Sequence, residues 1–163
     1  MEKDILQQVY YKYTKKVYLY LYSLCRNHDL AEDLMQETFV KALCSIDLAE
    51  EGVLPWLLRV ARNLYLDYFR KERRRGWEEL DENQPGKETA LLEQLIQKEK
   101  NQQLYQAILR LSETEKEAVV LYWFSGLSQE AIGSILNLSH GNVRVILYRA
   151  KKKLKQYLEH ESI

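Results

Sequence analysis

The stretch LSQEAIGSILNLSHGNVRVILYRAKKKL, Leu127–Leu154, decides the fold of the C-terminal part of this chain. Apolar residues at helical spacing on both sides of Asn137 predict a short helix, a tight turn and a longer second helix. Asn137 tolerates the left-handed backbone conformation that such a turn needs, and Ser139 is a favourable N-cap. Gly133 leaves room for the two helices to approach closely. Together these features predict a helix-turn-helix.

The second helix of this pair keeps a polar and cationic face outside the predicted core. Arginine can form two hydrogen bonds to guanine in the major groove, and lysine more often meets phosphate. The alternative is a solvated face whose lysines only complement the helix dipole. The preceding helix, turn and cap favour DNA binding. The residues predicted to lie away from the core or at its margin are Asn142, Arg144, Tyr148, Arg149, Lys152 and Lys153.

Upstream, the helical spacing of apolar residues before residue 75 predicts three amphipathic helices, which can form a bundle of their own. Asp29 with Glu32 predicts a capping box that opens the second of these helices, and Pro55 suits the first turn of the third. Tyrosines crowd the first helix on all its faces. That distribution favours packing over base stacking.

Two surfaces of this bundle have distinct chemistry. On the second helix, Asp33, Gln36 and Glu37 share an exposed face that suits a basic partner helix; the alternative is a solvated flank. On the third helix, cations and an amide lie opposite the apolar stripe, near Trp56, and suit single-stranded DNA. Here the alternative is a solvated basic face with the tryptophan in the core. The residues of this second surface are Arg59, Arg62, Asn63 and Arg70.

Between the two helical regions, residues 76–107 hold seven acidic residues and three lysines. This composition, with glycine, proline and asparagine, predicts an acidic flexible linker that is partly helical. Ser112 with Glu115 predicts a capping box just after it. The predicted fold is therefore all-α, with an N-terminal helical domain at 1–75, the linker, and a C-terminal helix-turn-helix domain at 108–163.

Composition excludes several classes of protein. The chain has 163 residues, 24 basic and 24 acidic, and 46% are hydrophobic. Its longest apolar run is roughly half of the ~20 residues that cross a bilayer, and the N-terminus lacks the apolar core of a signal peptide, so we expect a cytoplasmic protein. Cys25 and Cys44 form no metal-binding motif. We predict no metal, no cofactor and no catalytic nucleophile with its base.

Three segments, taken in order, resemble the bacterial extracytoplasmic-function (ECF) sigma factors of the minimal two-domain type. DLAEDLMQETFVKA is similar to the helix of the family's second region that binds core RNA polymerase. LPWLLRVARNLYLDYFRKERRR resembles its promoter-melting and minus-ten segment. The segment from Leu111 to Leu154 resembles its fourth region, which reads the minus-thirty-five element.

The resemblance implies roles for individual residues and names the partners: core RNA polymerase, promoter DNA and an anti-sigma factor. The loop 44–53 would capture a flipped minus-ten base. Where the family often has serine and arginine, this chain has Val145 and Ile146, so the promoter sequence cannot be carried over. The implied polymerase contacts are Asp33, Leu34, Gln36 and Glu37; those to melted DNA are Arg59 and Asn63; those to minus-thirty-five bases are Arg144, Tyr148 and Arg149; and those to phosphates are Ser139, Asn142, Lys152 and Lys153.

A second hypothesis is a stand-alone helix-turn-helix regulator whose N-terminal bundle binds a ligand or partner. Such proteins usually dimerise on a two-fold site. This hypothesis leaves the basic face of the third helix and the acidic linker without a role, and the sigma-factor hypothesis uses both.

Overall fold

The computed structural model describes residues 2–45, 52–74 and 99–161, and every regular element in these ranges is a helix. The all-α prediction is therefore confirmed. The chain forms two compact units, Met1–Gln84 and Pro85–Ile163. Among the described residues, no helix is both long and apolar enough to cross a membrane.

The first unit packs helices α1 (Glu2–Cys25), α2 (His28–Ser45) and α3 (Val53–Arg74) against one another. The predicted apolar faces meet in its core, and the tyrosines of α1 mostly serve packing, although Tyr11 is 71% exposed. The buried residues include Val17, Tyr18, Tyr20, Leu21, Tyr22, Leu34, Phe39, Ala42, Leu54, Leu57, Leu58 and Ala61.

The turn between α1 and α2 corrects one sequence prediction. The N-cap of α2 is Asn27, whose Oδ1 accepts a hydrogen bond from the backbone N–H of Leu30 at 3.0 Å. Glu32 closes no capping box with Asp29; it lies 3.1 Å from Nε2 of His28. Because Asn27 caps the helix one position before His28, the prediction that Asp29 opens it was wrong.

His28 also links the two helices of this turn. Its Nδ1 lies 2.6 Å from the hydroxyl of the buried Tyr18 on α1, while Nε2 faces Glu32 on α2. The thiol of Cys25 donates to the backbone carbonyl of Asn27 at 3.3 Å. Contacts of Cys25, Asn27 and His28 thus hold the turn in place.

The second unit contains α4 (Glu99–Leu109), α5 (Glu113–Val119), α6 (Gln129–Leu136) and α7 (His140–Glu161). Helix α7 packs against α4, α5 and α6 and is the central element of the unit. Ser112 and Glu115 form the predicted capping box at the start of α5. Residues buried in this core include Ala107, Ile108, Leu111, Val119, Leu121, Ile132, Ile135, Val143, Leu147, Ala150 and Leu154.

Helix α5 continues into a π-helical turn, Val120–Phe124. The backbone N–H of Ser125 bonds to the carbonyl of Val120, and that of Leu127 to the carbonyl of Leu121, each at 3.0 Å. A π-turn widens the helix by one residue. The change of phase brings the chain to the N-cap Ser128 of α6, while Trp123 remains 47% exposed.

The turn between α6 and α7 has the predicted geometry. Asn137 adopts the left-handed conformation (φ 57°, ψ 46°), and the backbone N–H of Leu138 bonds to the carbonyl of Gly133 at 2.9 Å. A Cβ atom at Gly133 would lie only 2.6 Å from the carbonyl oxygen of Leu138. The backbone after the turn therefore lies directly against the inner face of α6, and only glycine fits there without a shift.

An ion pair ties the start of α5 to the middle of α7. The Nζ of Lys153 lies 3.0 Å from the carboxylate of Glu115, whose side chain is 10% exposed. Burial by itself would raise the pKa of the Glu115 carboxyl, but hydrogen bonds from Lys153 and Ser112 outweigh it and hold that pKa below its ordinary value. The charged form of Glu115 is thus stabilised in the folded unit.

Two predicted segments lie mostly outside the described residues. They are the base-capturing part of the 44–53 loop, of which 46–51 are not described, and the linker, of which 76–98 are not described. The domain boundaries at 75 and 108 stay a prediction.

Gly133→Ala is expected to lower the stability of the second unit, although alanine is favoured over glycine inside helices by about 1 kcal/mol. The new Cβ would meet a backbone oxygen that cannot move unless the turn at Asn137 opens. Amide hydrogen exchange in α6 and α7 measures the change for this unit alone. The matched control is Gly141→Ala, whose Cβ would meet nothing within 4 Å and which should leave protection unchanged or raise it. An equal gain of amide protection in both variants would show that a Cβ at position 133 is not obstructed by the carbonyl oxygen of Leu138.

Glu115→Gln is expected to lower protection of α5 and α7 amides at pH 7, by up to about 1 kcal/mol, since it removes the ion pair with Lys153 while glutamine can keep the capping hydrogen bond. The lowered pKa means that the stabilisation from Glu115 is present above the ordinary carboxyl pKa of about 4.3 and is lost as pH falls through the lower folded-state value. The difference between variant and parent should therefore shrink at acidic pH. Glu130→Gln, at an exposed position, is the control; a difference independent of pH would contradict the assignment.

Candidate nucleic-acid and polymerase-binding surfaces

Helix α7 has one buried apolar face and one exposed polar face. Val143, Leu147, Ala150 and Leu154 form the buried stripe, and the six polar residues predicted on the other side are all exposed. Tyr148 is 68% exposed. In this unit taken by itself, one face of α7 is therefore open to a partner. We call it the recognition face of α7; it consists of Asn142, Arg144, Val145, Tyr148, Arg149 and Lys152.

The N-terminal end of α7 is held by local hydrogen bonds. Ser139 acts as the predicted N-cap, its Oγ accepting from the backbone N–H of Asn142 at 3.2 Å. His140 Nε2 lies 3.1 Å from Oε1 of Gln129, the first residue of α6. The hydroxyl proton of Ser139 is not used by the cap, so this side chain can donate to a phosphate while it holds the helix end.

Lys153 also has a partner within the second unit. Its ammonium pairs with the carboxylate of Glu115, and the pair helps to pack α5 on α7. Because the Lys153 side chain is still 46% exposed, its contact with DNA phosphate stays a prediction. Lys152, exposed on the recognition face, keeps the predicted position.

The basic face of α3 is partly exposed. Asn63 and Arg70 are exposed, while Arg59 and Arg62 are half-buried at its edge, and Trp56 is also half-buried. Arg70 lies 3.8 Å from Asp67 at spacing i, i+3, with both side chains well exposed. Such surface pairs contribute little and can exchange for a phosphate.

The acidic and amide face of α2 consists of the exposed residues Asp33, Gln36 and Glu37. Leu34, which the resemblance placed among the polymerase contacts, is only 5% exposed. Its side chain belongs to the core beneath this face, and the polymerase contact assigned to it stays a prediction.

Sequence reasoning missed one apolar position on the α2 face. Val40 follows Gln36 and Glu37 at helical spacing and is 58% exposed. An outward-pointing valine at i+3 or i+4 from the polar residues was the available signal. The recognition face of α7 likewise contains an exposed valine, Val145, which is 45% exposed.

His28, Asp29 and Glu32 bring potential metal-ligand atoms within 4.8 Å of one another. Both ring nitrogens of His28 already have partners, namely Tyr18 and Glu32. The cluster is therefore accounted for by the packing of α1 on α2.

Comparison with known proteins covers both units. Residues 9–75 match the family Sigma-70 region 2, and residues 101–154 match Sigma-70, region 4. The ECF RNA polymerase sigma factor SigM of Bacillus subtilis is 32% identical over 156 residues, which cover 92% of this chain and 93% of SigM. The RNA polymerase sigma factor YlaC of the same organism is 28% identical, covering 94% of this chain and 92% of YlaC.

A solved structure supports the same fold. The sigma factor RpoE of Bartonella quintana, crystallised with the anti-sigma factor NepR, matches with a TM-score of 0.70 and 24% identity over 96% of this chain and 98% of RpoE. The two family matches follow each other in the predicted order, and the similarity to SigM spans nearly the whole of both chains. This chain therefore belongs to the ECF sigma factors.

Proposed function

We propose that this chain binds core RNA polymerase and directs it to promoters by reading duplex DNA with the second unit and melted DNA with the first. One observation supports the proposal most. Each unit completes its own core and still exposes faces suited to a partner: an acidic and a basic face in the first unit, and a polar and cationic face in the second. The two units follow each other in the order of sigma-factor regions 2 and 4. A helix that buries one stripe is free to use the other for a partner.

For the minus-thirty-five duplex, the proposal uses the recognition face of α7. Arg144 and Arg149 are exposed and can reach guanine edges, with Tyr148 between them. Ser139, Asn142 and Lys152 would hold phosphates and so fix the register of the helix in the groove. Lys153, whose half-exposed side chain also pairs with Glu115, is a further proposed phosphate contact.

For melted minus-ten DNA, the proposal uses the basic face of α3. Cations attract the backbone, and unstacked bases can lie against aromatic or amide groups. Arg59, Arg62, Asn63 and Arg70 supply this chemistry. The predicted capture of a flipped base by the 44–53 loop remains part of the proposal and lies mostly outside the described residues.

For the polymerase, the proposal uses Asp33, Gln36 and Glu37 of α2. Two carboxylates and an amide suit a basic helical partner, since complementary charge directs association and register. Leu34 supports this face from within the core. Such a subunit needs no catalytic group of its own, acts in the cytoplasm where polymerase and promoters meet, and has an anti-sigma factor as a further proposed partner.

Run-off transcription with purified core polymerase on a fragmented genomic library tests the proposal directly. Discrete transcripts that require this chain are expected, and their start sites identify the promoter. The chain should be monomeric alone and should co-elute with core polymerase. A dimer that binds duplex DNA tightly without polymerase would instead support the stand-alone regulator.

Arg149→Ala is expected to reduce transcription from the mapped promoter about fivefold or more, because one bidentate base contact is worth ~1–3 kcal/mol. Hydrogen exchange of α7 should stay unchanged, since Arg149 is exposed. Lys155→Ala, an exposed cation further along the same helix, is the matched control and should keep transcription close to the parent level. Full activity of Arg149→Ala would contradict the groove assignment.

Glu37→Lys is expected to weaken binding to core polymerase at least about tenfold, because it places a like charge against a basic surface. Titration of labelled chain with core polymerase measures the dissociation constant without DNA. Asp67→Lys introduces the same charge change at an exposed position on α3 and should bind core polymerase normally. Normal assembly of Glu37→Lys would move the docking surface elsewhere.

A further inference from the structure

Val145 stands out on the recognition face of α7. It lies in the second turn of the helix, and at 3.6 residues per turn it points almost opposite to the buried stripe of Val143, Leu147, Ala150 and Leu154. Its side chain is 45% exposed. Single exposed valines are ordinary on protein surfaces, but this one occupies the centre of a face otherwise made of polar and cationic groups.

The neighbours of Val145 define what it can meet. Arg149 lies one turn further along the helix, Tyr148 lies at i+3, and Asn142 lies at i−3; all three are exposed. Residues in the N-terminal part of a recognition helix contact base edges. When Arg149 reaches the bases, Val145 faces the floor of the groove between it and the N-terminal end of α7.

A valine has no hydrogen-bonding group, so it can contact a base only through apolar surface. In the major groove that surface is the C5-methyl group of thymine. Against guanine, adenine or the amino group of cytosine, the same side chain would cover polar atoms without pairing them, which costs free energy. In a helix, valine also holds one strongly preferred rotamer, so its methyl groups have fixed positions.

We infer that Val145 is a specificity-determining residue that reads the methyl group of a thymine in the duplex promoter element. This inference rests on the proposed function, because it requires that the recognition face of α7 enters the major groove. It assigns direct base readout to a position where the family often has serine.

The test uses the reconstituted holoenzyme, core polymerase with this full chain, on the promoter mapped by run-off transcription. Each thymine of the minus-thirty-five element, on either strand, is replaced in turn by deoxyuridine, which keeps every hydrogen-bonding group and lacks only the methyl. For the parent chain, one such replacement should weaken holoenzyme binding about fourfold, the effect of about one buried methyl group.

Variants of Val145 assign that effect to this side chain. In holoenzyme with Val145→Ala or Val145→Ser, the ratio of affinities for the thymine and uracil promoters should fall to about one. Val145→Thr keeps one methyl group at the same branch point and should retain discrimination in part. Lys152→Ala, which removes a proposed phosphate contact, should weaken binding to both promoters equally and leave the ratio unchanged.

Each contrary result has a defined meaning. An active holoenzyme with no sensitivity to any thymine methyl, or a minus-thirty-five element without thymine on either strand, overturns the inference and leaves the proposed function standing. Unchanged discrimination in Val145→Ala overturns it as well. Absence of any transcription that depends on this chain would instead overturn the proposed function itself.

Discussion

The close approach of backbone at Gly133 is the constraint on which the second unit depends. The carbonyl oxygen of Leu138 lies only 2.6 Å from the place a Cβ at position 133 would take, and Asn137 supplies the left-handed residue that turns the chain back. These two positions set the angle between α6 and α7. Because Val143 and Leu147 then fall into the core, the opposite face of α7 must point outward, and the recognition face follows from the turn.

The first unit also exposes polar faces to a partner, but its core is built differently. Its helices are longer, and its core is built from tyrosines as well as aliphatic residues, with Tyr18 joined to His28 across the α1–α2 turn. Once Leu34 and Thr38 are buried, the polar residues of α2 have only the outer face. In both units the burial of one stripe decides which side chains a partner can reach.

Much of this arrangement could be predicted from the sequence, since helical spacing and capping are local. The capping box at Ser112 and the turn at Asn137 were both predicted. One error arose between two local signals: Asn27, one residue before α2, caps that helix, and Glu32 pairs with His28 at spacing i, i+4. The ion pair of Lys153 with Glu115, 38 residues away in sequence, could not be predicted from local spacing. The π-turn at Val120–Phe124 has no simple signature, because it depends on how α5 must meet α6.

The distribution of charge explains why such a chain would recognise promoters only as part of a larger assembly. Affinity of a free protein for DNA comes mainly from cations that release counterions from phosphate. Here basic and acidic residues are equal in number, Glu115 compensates Lys153, and Asp67 lies beside Arg70. We therefore expect little general attraction to DNA. The choice of promoter sequence would then fall to the proposed contacts, such as that of Arg149, made where the polymerase brings the DNA.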